Sequence, residues 1–372
     1  MVFCIITHVP HGIKDNLFFA YSPYVREINI WIKNVEEVIL VAPFDGDTSS
    51  AIHLNYEHKK IRFISIPSMD LLSLISIFRS VMNTPKISWK IFQAMRNADH
   101  IHLRCPGNIG LLGCFIQILF PNKPKTAKYA GNWDPKSKQP LSYKLQRWIL
   151  SNTFLTKNMQ VLVYGEWEGS SKNIKPFFTA TYRDEDKAII APRVLKQTIN
   201  FIFVGTLSEG KRPLYAVQII EKLNKMGCKC ILQLFGEGAE KQKLQKYCEE
   251  NKLNAIVYFK GNQNEFIVRN AYQTSHFILL PSQSEGWPKV VAEGMFWGCV
   301  PITTKVSCLG KMLDNGKRGV FFKMNINDDV SQIMTLINNQ ESYKSMAQQG
   351  IIWSRKYTLD LFEKEIKMLL QS

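Results

Sequence analysis

Short apolar runs recur along this chain, each closed by a turn rich in glycine, proline or asparagine and followed by a stretch of helical period. That alternation constrains the fold more than any other feature. Strands that are separated by helices lie parallel and are covered on both faces, so they read as unbroken apolar runs. In the first half, residues 2–6, 37–42, 60–66, 100–103, 126–129 and 160–164 read as strands. Helical period fills 21–33, 70–97 with a break at Pro85, 109–120 and 141–150. In the second half the strands are 201–204, 230–235, 255–259, 276–280, 300–303 and 319–322. The helices there are 214–226, 239–251, 266–273 and 290–297, with a basic amphipathic helix at 353–370. A doubly wound α/β sheet is therefore expected in each half, with ligands at the carboxyl ends of the strands. In the first half those ends carry His8, His11, Arg104, Asn108, Asn132, Trp133 and Asp134.

A chain of 372 residues exceeds one ordinary core, and two domains of ~150–200 residues are expected. The pattern breaks after Thr181, where a charge run at 183–187 is followed by Pro192. The expected layout is a first domain at 1–185, a linker at 186–199, a second domain at 200–352 and a C-terminal helix at 353–372 free to return to the first domain. The net charge of +16 comes from 47 basic and 31 acidic residues. It suits an anionic small ligand or an anionic membrane face. The basic residues are scattered and no RNA-binding or zinc-finger signature occurs, so nucleic acid is not the expected partner. Eight cysteines lack paired metal spacing and fall mostly in apolar segments, which reads as buried free thiols in a reducing compartment. Residues 1–7 start directly as a strand, without a basic leader or cleavage site. The most apolar segment, 109–120, is shorter than the ~20 residues a bilayer crossing needs. The expected location is cytoplasmic, with room for peripheral contact at the inner membrane face.

The richest stretch for chemistry is 281–299, in which a strand leads through Ser-Glu-Gly-Trp-Pro-Lys into a helix. Pro288 suits the first turn of that helix and Gly298 its end. A helix N-terminus favours phosphate, and Gly286 leaves room for close backbone approach. Glu285 and Glu293 flank this point and can accept hydrogen bonds from sugar hydroxyls. Such a constellation fits a ligand that is anionic in one part and polyhydroxylated in another.

Glu285 and Glu293, seven residues between them, with Gly-Trp-Pro-Lys inside and a strand before, resemble the nucleotide-sugar motif of family 4 glycosyltransferases. The resemblance implies a GT-B fold, two Rossmann-like domains facing a central cleft, with acceptor binding in the first and donor binding in the second. It implies that Glu293 accepts hydrogen bonds from the ribose and that Glu285 contacts the donor sugar and supports its developing positive charge. It implies further that Lys211 neutralises the leaving diphosphate. The family usually has an arginine just after the glycine of that loop; Thr206 stands there, and Arg212 or Lys289 could supply the second cation. Gly236, Gly238 and Gly261 end strands where the base would lie, and backbone amides around Trp287, Pro288, Lys289 and Val290 would hold phosphate or sugar oxygens. The loop after Tyr129 lacks the histidine many members carry there. His8, His11, Arg104, Asn132 and Trp133 are the acceptor-side candidates, Arg104 for an acidic group and Trp133 for stacking on a sugar.

No Asp-x-Asp pattern suggests a metal-dependent site, and no cofactor is expected, the nucleotide sugar being a substrate. The expected function is transfer of a sugar, hexosyl and with retention, from a nucleotide-sugar donor to a hydroxyl of a cell-envelope polysaccharide or lipid-linked oligosaccharide. Two rivals stand beside it: a nucleotide-sugar epimerase on the same fold, and a non-catalytic binding module.

Overall fold

The computed structural model describes residues 1–47, 52–69, 73–191, 193–195 and 197–371; Pro192 and the first residues of the expected 70–97 helix lie outside them. The chain forms two compact units, Met1–Phe178 with Leu361–Ser372, and Thr179–Asp360.

The first unit holds a seven-stranded parallel sheet in the order Ile174–Phe177, Met159–Tyr164, Lys125–Tyr129, His100–Cys105, Val2–Ile6, Glu37–Pro43, Ile61–Ile66. Its central strands are buried on both faces: Phe3, Cys4, Ile5 and Ile6 are wholly covered, as are Val38 to Ala42. The strand order reverses between Val2–Ile6 and His100–Cys105, which puts the loops starting at Thr7 and Pro106 at the sheet's switch point.

A second, antiparallel sheet of His11–Lys14, Leu17–Tyr21 and His53–Asn55 was not expected; residues 8–12 read as a loop. The hairpin is closed by Asp15 and Asn16, both at positive φ (51° and 60°), the backbone of a tight turn that twists with its strands. The helix Leu74–Arg96 runs through Pro85 without the expected break. Val81, whose carbonyl loses its amide partner to the proline, is 62% exposed, so water replaces the missing bond.

The second unit is a six-stranded parallel sheet in the order Val257–Gly261, Cys230–Phe235, Ile199–Val204, Phe277–Leu280, Val300–Thr303, Val320–Phe321. Helices Pro213–Lys225 and Ile326–Ile337 pack on it through Val217, Ile220, Ile333 and Ile337, which join Phe201, Leu232 and Phe277 in one core. The order reverses between Ile199–Val204 and Phe277–Leu280.

The division between units falls at Phe178 and Thr179, ahead of the expected boundary at 185, and the stretch expected as a linker packs on the second unit. Tyr182 lies against Phe296 and Trp297 at ring distances of 4.8 and 5.3 Å. Arg193 donates to the carbonyls of Tyr272, Gln273 and Trp297. The C-terminal segment is two helices, Gln340–Ser354 and Leu359–Gln371, where one helix over 353–370 was expected. Trp353 and Tyr357 meet at 4.7 Å across the break, and Leu359 N–H donates to Tyr182 O at 2.8 Å. No helix among the described residues is long and apolar enough to cross a membrane.

Candidate functional site

Two adjacent parallel strands at a switch point deliver their following loops to the same place, because no other strand lies between them. In the second unit these loops follow Ile199–Val204 and Phe277–Leu280. Gln283 N–H donates to Gly210 O at 2.8 Å and joins the two loops. Beside that bond Lys211 Nζ meets Glu285 Oε1 at 2.5 Å. The Glu285 side chain is only 8% exposed and that of Lys211 30%. A carboxylate so withdrawn from water needs a cation, and Lys211 is the one in contact.

The Glu285 loop is fixed from the next strand along. Thr304 hydroxyl donates to Ser282 O at 2.5 Å, and Ser307 hydroxyl to Gly286 O at 3.0 Å. The helix Lys289–Phe296 then begins with Pro288 as its cap residue and no capping side chain. Two of the amides expected to hold phosphate are engaged within the turn: Lys289 N–H donates to Trp287 O and Val291 N–H to Pro288 O. Val290 is half-buried beside them. The Trp287 ring is directed to Trp353, at 6.1 Å, and Tyr357, at 5.5 Å, so aromatic packing holds it in place of a ligand.

Glu293, one turn into the helix, has both oxygens engaged. Thr181 hydroxyl donates to one at 2.5 Å and Tyr272 hydroxyl to the other at 3.0 Å, with Lys289 Nζ at 3.9 Å. Burial, then the Glu293 charge, push the Tyr272 phenol well above its ordinary range, so it stays a donor. Thr181 and Tyr272 were missed in the sequence. A hydroxyl that reaches a carboxylate from 112 residues away leaves no local pattern.

Gly236 and Gly238 were expected where a base lies, and the structure gives them a steric task. A Cβ on Gly236 would stand 2.0 Å from Gly205 O, and one on Gly238 2.4 Å from Leu207 O. The backbone after Cys230–Phe235 thus crosses directly over the Lys211 loop, at φ of 137° and 159°. Gly261 closes the neighbouring strand, its carbonyl accepting from Gly236 N–H at 2.9 Å. Arg212 takes a left-handed conformation (φ 51°) at the start of helix Pro213–Lys225, next to Lys211.

The acceptor-side candidates belong to the first unit and divide sharply. His8 is exposed, at the switch point, over Gly107, whose added Cβ would meet its Nδ1 at 2.7 Å. Local desolvation, and then the Arg104 charge, lower its pKa. Arg104 is taken up by an ion pair with Glu27 at 2.7 Å, the two side chains 12% and 6% exposed. His11 is a core residue: its ring nitrogens meet Val9 O and Tyr56 Oη at 2.7 Å each, and burial lowers its pKa to about 4. Trp133 is also core, edge-on to Tyr129 at 4.8 Å with Arg147 over its face, and has no surface for a sugar. Asn132 Oδ1 caps its own turn by accepting from Asp134 N–H at 2.9 Å. All eight cysteines are free thiols.

Residues 185–353 match the family model of glycosyl transferases group 1. An uncharacterized glycosyltransferase of Methanocaldococcus jannaschii is 32% identical over 127 residues, 34% of this chain and 36% of that protein. The poly(glycerol-phosphate) alpha-glucosyltransferase of Bacillus subtilis is 24% identical over 187 residues, 49% of this chain and 27% of that one. The chain therefore spans about a third of the length of these curated relatives. Among solved structures, Anabaena HepE in complex with UDP and glucose superposes with a TM-score of 0.71 at 12% identity, over 100% of this chain and 99% of that one. The chain thus has the GT-B fold, with two parallel sheets in two units, and its second unit is similar to the glycosyl transferases of group 1.

Proposed function

We propose that this chain moves a hexose from a nucleotide-sugar donor to a hydroxyl of a polysaccharide or lipid-linked oligosaccharide, with retention of configuration and without a metal. The observation that carries the reading is the contact of Lys211 with Glu285 at a sheet switch point, beside the N-terminus of helix Lys289–Phe296. Cleaving a sugar–phosphate bond leaves negative charge on the diphosphate and positive charge on the sugar. Lys211 turns from Glu285 to the diphosphate as it develops, and Glu285, released, faces the sugar cation and its hydroxyls. Glu293, aligned by Thr181 and Tyr272, accepts from the ribose. No carboxylate is assigned as nucleophile; the leaving phosphate takes the acceptor proton as the hydroxyl attacks the same face.

The first unit binds the acceptor in this reading, His8 being the exposed candidate there. Helix Leu141–Ser151 leaves Leu141 82% and Trp148 59% exposed, with Lys144 on the same helix, a composition suited to resting on an anionic membrane. The Anabaena structure holds UDP and glucose, which favours UDP-glucose as the first donor to try.

Thermal unfolding with UDP, GDP and ADP tests the donor site. The matching nucleotide at 100 times its Kd adds ~2.7 kcal/mol of stability. Incubating UDP-glucose with envelope oligosaccharides should then release UDP and give a product with an equatorial anomeric proton, the small-coupling signal of retained α configuration. Stabilisation by none of the three nucleotides would overturn the reading.

A further inference from the structure

Helix Leu74–Arg96 is apolar on the face it turns to solvent as well as on the face it buries. Its inner face places Ile87, Ile91, Ala94 and Met95 in the core of the first unit, with Cys4, Ile6 and Leu103 of the central strands. On the outer side Ile75, Phe78, Val81, Met82 and Trp89 are each 61–69% exposed. Phe78, Met82, Pro85 and Trp89 follow one another at steps of four, three and four, so they form one stripe along the helix. Ring contacts carry the stripe onto the neighbouring segment: Trp89 lies 5.8 Å from Phe92, and Phe92 lies 5.3 Å from Phe120, next to the exposed Leu119. A surface helix ordinarily carries its charged residues on this side, and a contiguous apolar patch so wide marks a contact surface. The helix needs no partner to form, because Ser73 and Ser76 make a reciprocal capping box at its start and its inner face is packed.

The charge beside the stripe is of one sign. Arg79, Lys86 and Lys90 each stand one residue after a member of the stripe, roughly 100° round the helix, and so line one flank. Arg79 and Lys86 are exposed; Lys90 gives one proton to Ser65 O at 2.6 Å and keeps two. Over its 23 residues the helix contains no aspartate or glutamate.

Stripe and flank together select the occupant. A second copy of the chain brings the same basic flank and no acidic residue on this helix, so self-pairing buries apolar surface without a counter-charge. An anionic bilayer supplies both parts at once, acyl chains for the stripe and phosphate headgroups for the flank. Trp89 suits the level between them.

We infer that the outer face of helix Leu74–Arg96 docks the chain on an anionic lipid bilayer. The helix lies in the plane of the interface, with Phe78, Met82 and Trp89 inserted and Arg79 and Lys86 at the headgroups. The inference rests on the reading above that the chain works at an anionic membrane, and it assigns that contact to a helix other than Leu141–Ser151.

The test is sedimentation of the full chain with vesicles of phosphatidylcholine alone and of phosphatidylcholine mixed with phosphatidylglycerol. Wild type should sediment with the mixed vesicles, less so as salt rises, and about tenfold less or weaker still with phosphatidylcholine alone. Arg79→Gln/Lys86→Gln should weaken binding about 25-fold, at about fivefold for each basic residue beside an anionic surface. Phe78→Ser/Trp89→Ser should weaken it about tenfold or more. Both pairs of changes are at exposed positions, so the melting transition and its shift with nucleotide should stay as in wild type. Binding that is lost in Leu141→Ser/Trp148→Ser and kept in Phe78→Ser/Trp89→Ser overturns the inference while the membrane reading stands. A wild-type dimer that binds no vesicle and becomes a monomer in Phe78→Ser/Trp89→Ser overturns it in favour of a second copy. If wild type binds no vesicle while a nucleotide still stabilises it, the docking surface fails and the sugar-transfer reading is untouched.

Discussion

Replacing Lys211 by alanine separates a reacting cation from an ordinary ion pair. The substitution leaves Glu285, whose side chain is 8% exposed, without the ammonium now 2.5 Å away. Breaking a fully buried pair costs ~3–5 kcal/mol, whereas an exposed pair is worth ~0–1 kcal/mol. Lys211 is 30% exposed, which places the loss between those limits, at about 2 kcal/mol. For a unit of this size that lowers its melting temperature by roughly 4–8 °C. The effect on turnover should be larger. Removing one charge-stabilising group from a transition state costs ~10²–10³ in kcat. The double variant Lys211→Ala/Glu285→Gln removes the stranded charge and should recover most of the melting temperature. It should not recover turnover, because no cation meets the leaving diphosphate. Calorimetric melting and nucleoside diphosphate release, measured on wild type, both single variants and the double, decide the matter. If the double variant regains turnover along with stability, or if Lys211→Ala stays within threefold of wild type, Lys211 serves the fold and not the reaction.

Gly236→Ala places a Cβ 2.0 Å from Gly205 O at a φ of 137°, and the backbone must move. A stability loss of about 2–5 kcal/mol is expected from strain and overpacking together, with weaker nucleotide binding because the displaced loop carries Lys211; an unchanged melting curve would contradict the crossing described. Acid should loosen the first unit. Burial holds His11 and His100 at about 4, against 6.5 for an ordinary imidazole, and lowers His102 as well. Between those values the unfolded chain takes up protons that the folded one refuses, so stability present above pH 6.5 is lost as pH falls toward 4. A melting temperature flat across that window, read by a first-unit probe, would refute it.

The parallel sheets were legible because most strands buried on both faces are runs of apolar residues, as 2–6 and 277–280 are. The Lys211–Glu285 pair was reachable because each residue lies just past a recognisable strand, and topology brings such loops together. Other features had no such signal. The Asp15–Asn16 hairpin depends on a left-handed backbone that the flanking polar pattern does not announce. Trp133 lies past the strand Lys125–Tyr129 as expected, whereas His11 opens a strand of the unexpected antiparallel sheet; the burial of both is set by partners such as Tyr56 and Arg147, remote in sequence or across a turn. Thr181 and Arg193 lie in a stretch whose charges and proline resemble a linker; long-range hydrogen bonds make it part of the second unit.

The chain's last helix carries a consequence for how the protein is made. Phe362 packs against Phe177 and Phe178 at 5.3 and 5.7 Å, so the final helix shares one aromatic cluster with the residues that end the first unit's earlier segment. The second unit is thus an insertion within the first. A ribosome releases its whole sequence before the residues that finish the earlier unit emerge, and the part synthesised first is completed last.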